Sequence, residues 1–135
     1  MRRCTIELAQ DKDGPKIREL LAAHGHNTFD LDFAHVHPYW LLALSGGEIV
    51  GCIQVLQGKP TACLEFIAVS KGLEGFTKAV VVRDLILAGM NTCRLAGAEA
   101  VFFYVPFGMK HYKNVLKKRG GVITTQGNMF IKRLV

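Results

Sequence analysis

The sequence of 135 residues has no apolar run near the roughly 20 residues that a membrane-spanning helix needs. It also has no repeat, no low-complexity tract and no linker-like segment. Met1-Arg2-Arg3 leads directly into strand-like sequence, without the apolar segment of a secretory signal, so we expect a cytoplasmic chain with no membrane partner. Half of the residues are hydrophobic and 21% are charged, which favours one folded domain over residues 1–135.

The sequence lacks any close cysteine pair, because its four cysteines are widely spaced: Cys4, Cys52, Cys63 and Cys93. No Cys-x-x-Cys pair occurs. Cys52 and Cys63 lie in strand-like runs and Cys93 lies in a helix-like run, which favours small buried thiols over disulfides. Free thiols fit a reducing compartment.

Acidic residues are fewer than basic ones, 11 against 17, which gives a net charge of +6. This charge attracts anions but does not choose among nucleic acid, a phosphorylated cofactor and an acidic substrate. Five cations cluster near the C-terminus: Lys110, Lys113, Lys117, Lys118 and Arg119. The cluster fits a solvated helix face with cations near its C-terminal end. Few aromatic residues interleave with it and no recognition motif accompanies it, so a nucleic-acid partner is disfavoured.

Hydrophobic periodicity and turn residues predict an α+β domain with the order β-α-α-β-β-β-α-β-α-β-β. Strand 100–105 follows strand 62–69 through a helix, so we expect the two strands to be parallel in a mixed sheet. The predicted elements are a strand (5–9), a helix capped by Asp13, a short helix with a loop (27–38), three antiparallel strands (39–44, 49–57 and 62–69), a helix (76–95), a strand (100–105), a helix (109–119) and a closing hairpin (122–125 and 129–134).

The segment from Ala62 to Leu95 is the most informative part of the sequence. An apolar strand ends at Val69, a turn with two glycines follows, and a helix opens at Phe76. The first backbone N–H groups of a helix lack intrahelical acceptors, so they form an anion site. Such a site suits the pyrophosphate of a nucleotide-like cofactor.

Three segments carry a resemblance to a known family. They are the hairpin Trp40–Val55 with its Gly-Glu-Ile-Val-Gly turn, the strand Leu64–Val69, and Leu116–Gly121 after the last predicted helix. Together with the element order, these segments resemble the GNAT superfamily of N-acyltransferases over nearly the whole chain. The resemblance implies a GNAT-like mixed sheet flanked by helices, and acetyl-CoA as cosubstrate. It implies acetyl transfer to an amine of a small molecule or protein, and a homodimer is among the expected partners because sheet edges in this fold class often pair.

The resemblance also implies where the cofactor lies. Its cleft forms where the strands 62–69 and 100–105 splay apart, and its pyrophosphate rests on the loop and first helical turn. The implied cofactor-binding residues are Ile67, Ala68, Val69, Gly75, Phe76, Thr77, Lys78 and Ala79.

The loop departs from the family pattern Gln/Arg-x-x-Gly-x-Gly/Ala. Counted from Val69, only Ala79 fits. Glu74 replaces a cation or amide and opposes a pyrophosphate, while Thr77 replaces a glycine that permits close backbone approach. Lys71 and Lys78 compensate electrostatically, and an offset loop that uses the glycines at 72 and 75 is the alternative.

Glu65 is the candidate catalytic base, because a carboxylate among apolar neighbours is expected to have a raised pKa. Strand alternation predicts that Glu65 shares its face with Cys63, Ile67 and Val69, opposite Phe66. The alternative is a Glu65 that points to solvent or pairs with a lysine.

Tyr112 is the candidate catalytic acid. The family places a tyrosine at the position of Leu116, and Tyr112 lies one turn earlier on the same helix face. The alternative is that Tyr112 packs against the sheet. Tyr104, on strand 100–105, is a candidate to line the cleft.

Four histidines fall in one short segment: His24, His26, His35 and His37. The resemblance places this segment beside the acceptor, where a histidine can accept a proton at neutral pH. The His-x-His spacing also raises a metal site, but only Asp30 and Asp32 are at hand to complete it, so no metal is expected.

Two further functions compete with acetyl transfer. The degenerate loop and the missing tyrosine fit a catalytically inactive GNAT-fold module with a structural or interaction role, for instance in a phage particle. The basic cluster fits, less well, a module that binds nucleic acid.

Overall fold

A five-stranded sheet organises the first of two units into which the chain divides, Met1–Tyr104. The computed structural model describes residues 4–26, 28, 31–104 and 110–118. The sheet order follows the chain; neighbouring strands are antiparallel except for the parallel pair of the fourth and fifth. The strands are β1 (Thr5–Leu8), β2 (Trp40–Ser45), β3 (Glu48–Leu56), β4 (Thr61–Val69) and β5 (Ala100–Phe103).

Two helices belong to the same unit: α1 (Gly14–Ala23) and α2 (Gly75–Leu95). A short 3-10 turn, Asp11–Asp13, leads into α1. Asp13 occupies the predicted N-cap position, but its carboxylate accepts the backbone N–H of Gln10 at 2.9 Å and not that of a helix residue. The second unit, Val105–Val135, contributes α3 (Lys110–Lys118). None of the helices in the described part of the chain combines the length and apolarity that crossing a membrane requires.

The helices α1 and α2 cover opposite faces of the sheet. Cys52 on β3 belongs to the apolar cluster that α1 builds. The preceding residue, Gly51, faces α2. A Cβ built on Gly51 would lie 3.0 Å from Cγ1 of Val81 and 3.1 Å from Cδ1 of Leu85. Neighbouring residues of a strand point to opposite faces, so the sheet is buried on both sides. The α1 cluster comprises Ala9, Ile17, Leu20, Leu21, Val36, Trp40, Leu42, Cys52 and Ala68.

Most predicted elements are confirmed within one or two residues, including the parallel pairing of β4 with β5. The short helix predicted within 27–38 is not found in the described residues of that segment. The closing hairpin predicted at 122–125 and 129–134 lies outside the described residues. All four cysteines are free thiols, as expected.

Candidate functional site

β4 extends beyond the residues that pair with β5. The register of the parallel pair runs from Thr61 opposite Ala100 to Leu64 opposite Phe103. One more contact follows, in which the backbone N–H of Tyr104 donates to the carbonyl of Leu64 at 3.5 Å. β4 continues to Val69, and no described strand pairs with residues 65–69 on this side. We call residues 65–69 the free edge of β4. It begins at Glu65, four residues before the end of β4 at Val69.

A β-bulge marks the start of the free edge. Gln54 on β3 lies opposite Glu65, but Cys52 lies opposite Ala68, so β4 carries one extra residue between these pairs. Phe66 lies between these pairs and has a φ of 52°. This left-handed conformation is uncommon for a residue other than glycine. Bulges bend a strand and increase its twist. The bulge therefore lies where β4 leaves its partner β5.

Backbone polar groups on the free edge alternate in direction. The N–H of Ser70 donates to the carbonyl of Val50 at 2.8 Å, so the next pair, Gly51 with Val69, is not hydrogen-bonded. The N–H and C=O of Val69 therefore point away from β3, toward the free edge. The backbone of Ala68 points toward β3. The expectation that a cofactor pairs with the backbone of Ala68 is therefore corrected, while Ile67 and Val69 remain candidates.

The free edge leads into the N-terminus of α2. The first intrahelical bond joins the N–H of Lys78 to the carbonyl of Glu74 at 2.8 Å. The N–H groups of Gly75, Phe76 and Thr77 precede it and have no intrahelical acceptor. There is room beside them, because nothing lies within 4 Å of a Cβ built on Gly75. This end of α2 thus has the geometry of an anion site.

Charges of both signs surround that helix end. Glu74 is the N-cap residue and is exposed, and its side chain makes no capping hydrogen bond. Lys71 in the preceding turn is exposed, and Lys78 in the first turn is partly buried. Phe76 is 69% exposed at the same end. One carboxylate therefore opposes an anion here, and two ammonium groups favour it.

Two histidines bind the free edge, a contact that sequence reasoning missed. His26 donates from Nε2 to the carbonyl of Ile67 at 3.1 Å, and His24 donates from Nε2 to the carbonyl of Val69 at 2.5 Å. They come from the end of α1, more than 40 positions earlier in the chain. The only signal in the sequence was the local concentration of histidines. Burial lowers the pKa of His26, an effect that its bond to Ile67 partly offsets and the charge of His24 reinforces.

The other two histidines of that segment bind elsewhere. His35 pairs with the exposed carboxylate of Asp32 at 2.8 Å, and this hydrogen bond raises the pKa of His35. His37 donates from Nδ1 to the carbonyl of Ala9 at 3.0 Å, beyond the end of β1. In the described residues no three His, Cys, Asp or Glu side chains come together as a metal-binding group.

Glu65 is partly buried at the start of the free edge, but not among the neighbours expected for it. It lies opposite Gln54 on β3. Gln54 is two residues from Cys52, which packs in the α1 cluster, so Gln54 and Glu65 are both on the α1 side of the sheet. Val69 lies opposite Gly51, on the α2 side. The predicted grouping of Glu65 with Val69, opposite Phe66, is wrong, because the bulge interrupts the alternation and Phe66 also packs on the α1 side.

Cys63 does share the face of Glu65. Its thiol donates to Oε1 of Glu65 at 3.3 Å. Burial, together with this carboxylate, raises the pKa of the Cys63 thiol to about 12. A thiol protonated at neutral pH is not a nucleophile, so Cys63 serves Glu65 as a hydrogen-bond donor.

The two candidate tyrosines, Tyr104 and Tyr112, lie in different units. Tyr104 follows β5 and is partly buried. Tyr112 lies in α3, in the second unit, and its exposed fraction is only 2%. The remaining predicted cofactor residue, Ala79, lies partly buried in the second turn of α2.

No protein-family model and no curated protein matches this sequence. Solved structures do match it. Ard1 from Thermoplasma volcanium has a TM-score of 0.75 and 20% identity, over 92% of this chain and 86% of that one. An aminoglycoside acetyltransferase from an uncultured soil metagenomic sample, in complex with trehalose, has a TM-score of 0.68 and 19% identity, over 98% and 97%. Diaminobutyrate acetyltransferase from Paenibacillus lautus, in complex with L-2,4-diaminobutyric acid and coenzyme A, has a TM-score of 0.69 and 16% identity, over 86% and 74%. At such identities, what is shared is the fold.

Proposed function

We propose that this chain, which has the fold of the GNAT acetyltransferases, transfers an acetyl group from acetyl-CoA to an amine. One observation carries the proposal. β4 runs on to Val69 after its last β5 partner and then delivers the chain to the N-terminus of a 21-residue helix. A strand edge that no described strand covers, beside an anion site, suits a long cofactor with amides in its arm and a pyrophosphate.

The free edge of β4 would hold the pantetheine arm of the cofactor, and the N-terminus of α2 would hold its pyrophosphate. The N–H of Val69 points to the free edge and would donate to a carbonyl of the pantetheine arm. The N–H groups of Gly75, Phe76 and Thr77 would receive the pyrophosphate, with help from the ammonium groups of Lys71 and Lys78. The carbonyls of Ile67 and Val69 are already bonded to histidine rings, so the strand contributes chiefly donors.

Acetyl transfer requires the acceptor nitrogen to attack as a neutral amine. Amines are mostly protonated at neutral pH, so a group near the thioester must first take a proton. Glu65 is the candidate for this step, because its carboxylate lies at the bulge where the free edge begins, at the end away from the anion site. Tyr112 stays the candidate proton donor to the departing thiolate, on the strength of the sequence resemblance.

The acceptor belongs to the class of primary amines. Two of the matching structures are acetyltransferases named for an aminoglycoside and for diaminobutyrate, both of which are amines. The proposed acceptor of this chain is likewise a small-molecule or protein amine. Cytoplasmic acetyl-CoA would be its donor.

The test is release of free CoA thiol from acetyl-CoA, with an aminoglycoside, L-2,4-diaminobutyrate and a peptide with a free N-terminus as acceptors. We expect thiol release that depends on one of these amines, and an acetylated amine of the corresponding mass. No release, together with no change in melting temperature at millimolar acetyl-CoA, would contradict the proposal. That result would favour a catalytically inactive module. The departures from the family loop pattern at Glu74 and Thr77 are consistent with that alternative.

A further inference from the structure

We infer that His26 accepts the proton that the acceptor nitrogen loses after it has attacked the thioester. This role rests on the acetyl transfer proposed above and adds a second proton acceptor to it. An ammonium substrate gives up two protons on its way to an amide, one before the attack and one after it. Glu65 is the candidate for the first, and the geometry assigns the second to His26.

The contact with β4 fixes which ring nitrogen is free. A carbonyl oxygen only accepts hydrogen bonds, so the proton of the His26–Ile67 bond, 3.1 Å long, is on Nε2. In the neutral imidazole the other nitrogen, Nδ1, then carries a lone pair and no proton. Backbone geometry thereby holds His26 as a base, with its accepting atom on the side away from the strand.

The surroundings of His26 keep the ring neutral. The ring is partly buried, and Phe66 packs edge to face against it with centroids 5.8 Å apart. Burial lowers the pKa of His26 below the ordinary histidine value, which favours the neutral ring with a lone pair on Nδ1. The titratable neighbour is His24, at 6.4 Å between ring centroids, and a charge on His24 acts in the same direction.

His24 and His26 contact different positions along β4, and this difference distinguishes their roles. The pyrophosphate site lies at the N-terminus of α2, so the cofactor arm would run from there back along the free edge toward the bulge. His24 binds at Val69, near the helix end of this path, and His26 binds at Ile67, next to the bulge. The thioester is the far end of the arm. His26 is therefore the histidine at the reacting end, and His24 lies beside the arm.

The lone pair of the neutral amine forms the new C–N bond to the thioester carbon while the C=O π pair moves onto oxygen, which leaves a positive charge on the nitrogen and a negative charge on the oxygen. Nδ1 of His26 takes a proton from that nitrogen. The oxyanion pair then re-forms the C=O bond as the C–S bond breaks with its electron pair on sulfur, and the thiolate takes a proton from its donor, for which Tyr112 is the candidate and which regains a proton from solvent. The imidazolium returns its own proton to solvent, so His26 is regenerated.

His26→Gln tests this role with a conservative change. The glutamine amide nitrogen can still donate to the Ile67 carbonyl, but it offers no basic nitrogen. We expect kcat to fall by about 100-fold or more, the lower end of the range for a general base, with acetyl-CoA affinity nearly unchanged. The loss should persist at a pH above the amine pKa, because the second proton is released at any pH. His37→Asn is the matched control, since that ring also binds a backbone carbonyl, but beside β1.

Two results would overturn the role of His26. The first is a His26→Gln enzyme that transfers acetyl groups at the wild-type rate, which would leave the proposed function intact. The second, which needs no variant, is a proton on Nδ1 of His26 in the nitrogen NMR spectrum of the wild-type chain at pH 7. A wild-type chain that acetylates none of the three amines would instead contradict the proposed function itself, and His26 would lose its role with it.

Discussion

The rings of His26 and Phe66 meet edge to face, with their centroids 5.8 Å apart. Phe66 is also the residue with left-handed backbone at the β4 bulge, so one irregular position both starts the free edge and shields the histidine. We expect Phe66→Ala to admit water to the His26 ring and to raise its pKa toward the ordinary value of about 6.5. An NMR titration of the ring protons measures this directly.

Phe33→Ala is the control for that titration. Phe33 is another partly buried ring beside the same apolar cluster, but it packs under the guanidinium of Arg18 and does not contact His26. The pKa of His26 should not move in this variant. An unchanged pKa in Phe66→Ala would mean that the Phe66 ring does not desolvate His26.

Glu74 should weaken cofactor binding, because its carboxylate lies at the helix end that would hold the pyrophosphate. We expect Glu74→Gln to tighten acetyl-CoA binding by roughly fivefold at low salt, and by less at high salt. Calorimetric titration measures the affinity. Glu99→Gln removes the same charge just before β5, at the opposite end of β4, and should leave the affinity unchanged. Equal affinities for Glu74→Gln and wild type would place the pyrophosphate elsewhere.

Glu65→Gln should lower turnover at neutral pH and leave acetyl-CoA affinity near normal. The defect should shrink as the pH approaches the pKa of the amine, because solvent then delivers the neutral nucleophile. This recovery separates Glu65 from His26, whose loss is expected to persist. A rate profile from neutral to alkaline pH makes the comparison. Full activity of Glu65→Gln at neutral pH would remove Glu65 from the mechanism.

Gly14 has no room for a side chain. A Cβ at this first residue of α1 would lie 1.8 Å from the carbonyl oxygen of Phe33, which is backbone and cannot swing aside. Alanine normally stabilises a helix by about 1 kcal/mol relative to glycine. Here we expect Gly14→Ala to destabilise the fold by about 1–3 kcal/mol or more in urea unfolding. Gly72→Ala, where nothing lies within 4 Å of the new Cβ, should be near neutral. Equal stability of the two variants would contradict this packing.

Local patterns in the sequence were enough to predict the strands and the parallel β5. The hairpin turn is an example, because Gly46 and Gly47 both adopt positive φ values of 59° and 81°. The buried stripe of α2 was less predictable. That helix is apolar on several sides, so periodicity alone does not single out its buried face, on which Val81, Leu85 and Gly89 are among the buried residues.

The succession of β4, a turn and α2 was predicted from the sequence, but the local geometry of β4 was not. A left-handed phenylalanine has no signature in sequence, so the bulge at Phe66 and the resulting face of Glu65 were missed. The contacts of His24 and His26 with β4 depend on how the end of α1 lies over the sheet. Such long-range contacts follow from tertiary packing and not from residue spacing.

In the proposed complex, the free edge of β4 and the N-terminus of α2 together hold acetyl-CoA. A titration of the isotope-labelled chain with acetyl-CoA, followed by backbone amide NMR, tests this arrangement most directly. We predict saturable shifts concentrated at Val69, Gly75, Phe76 and Thr77. No saturable binding at millimolar acetyl-CoA, or binding that leaves these four amides unchanged, would contradict this arrangement.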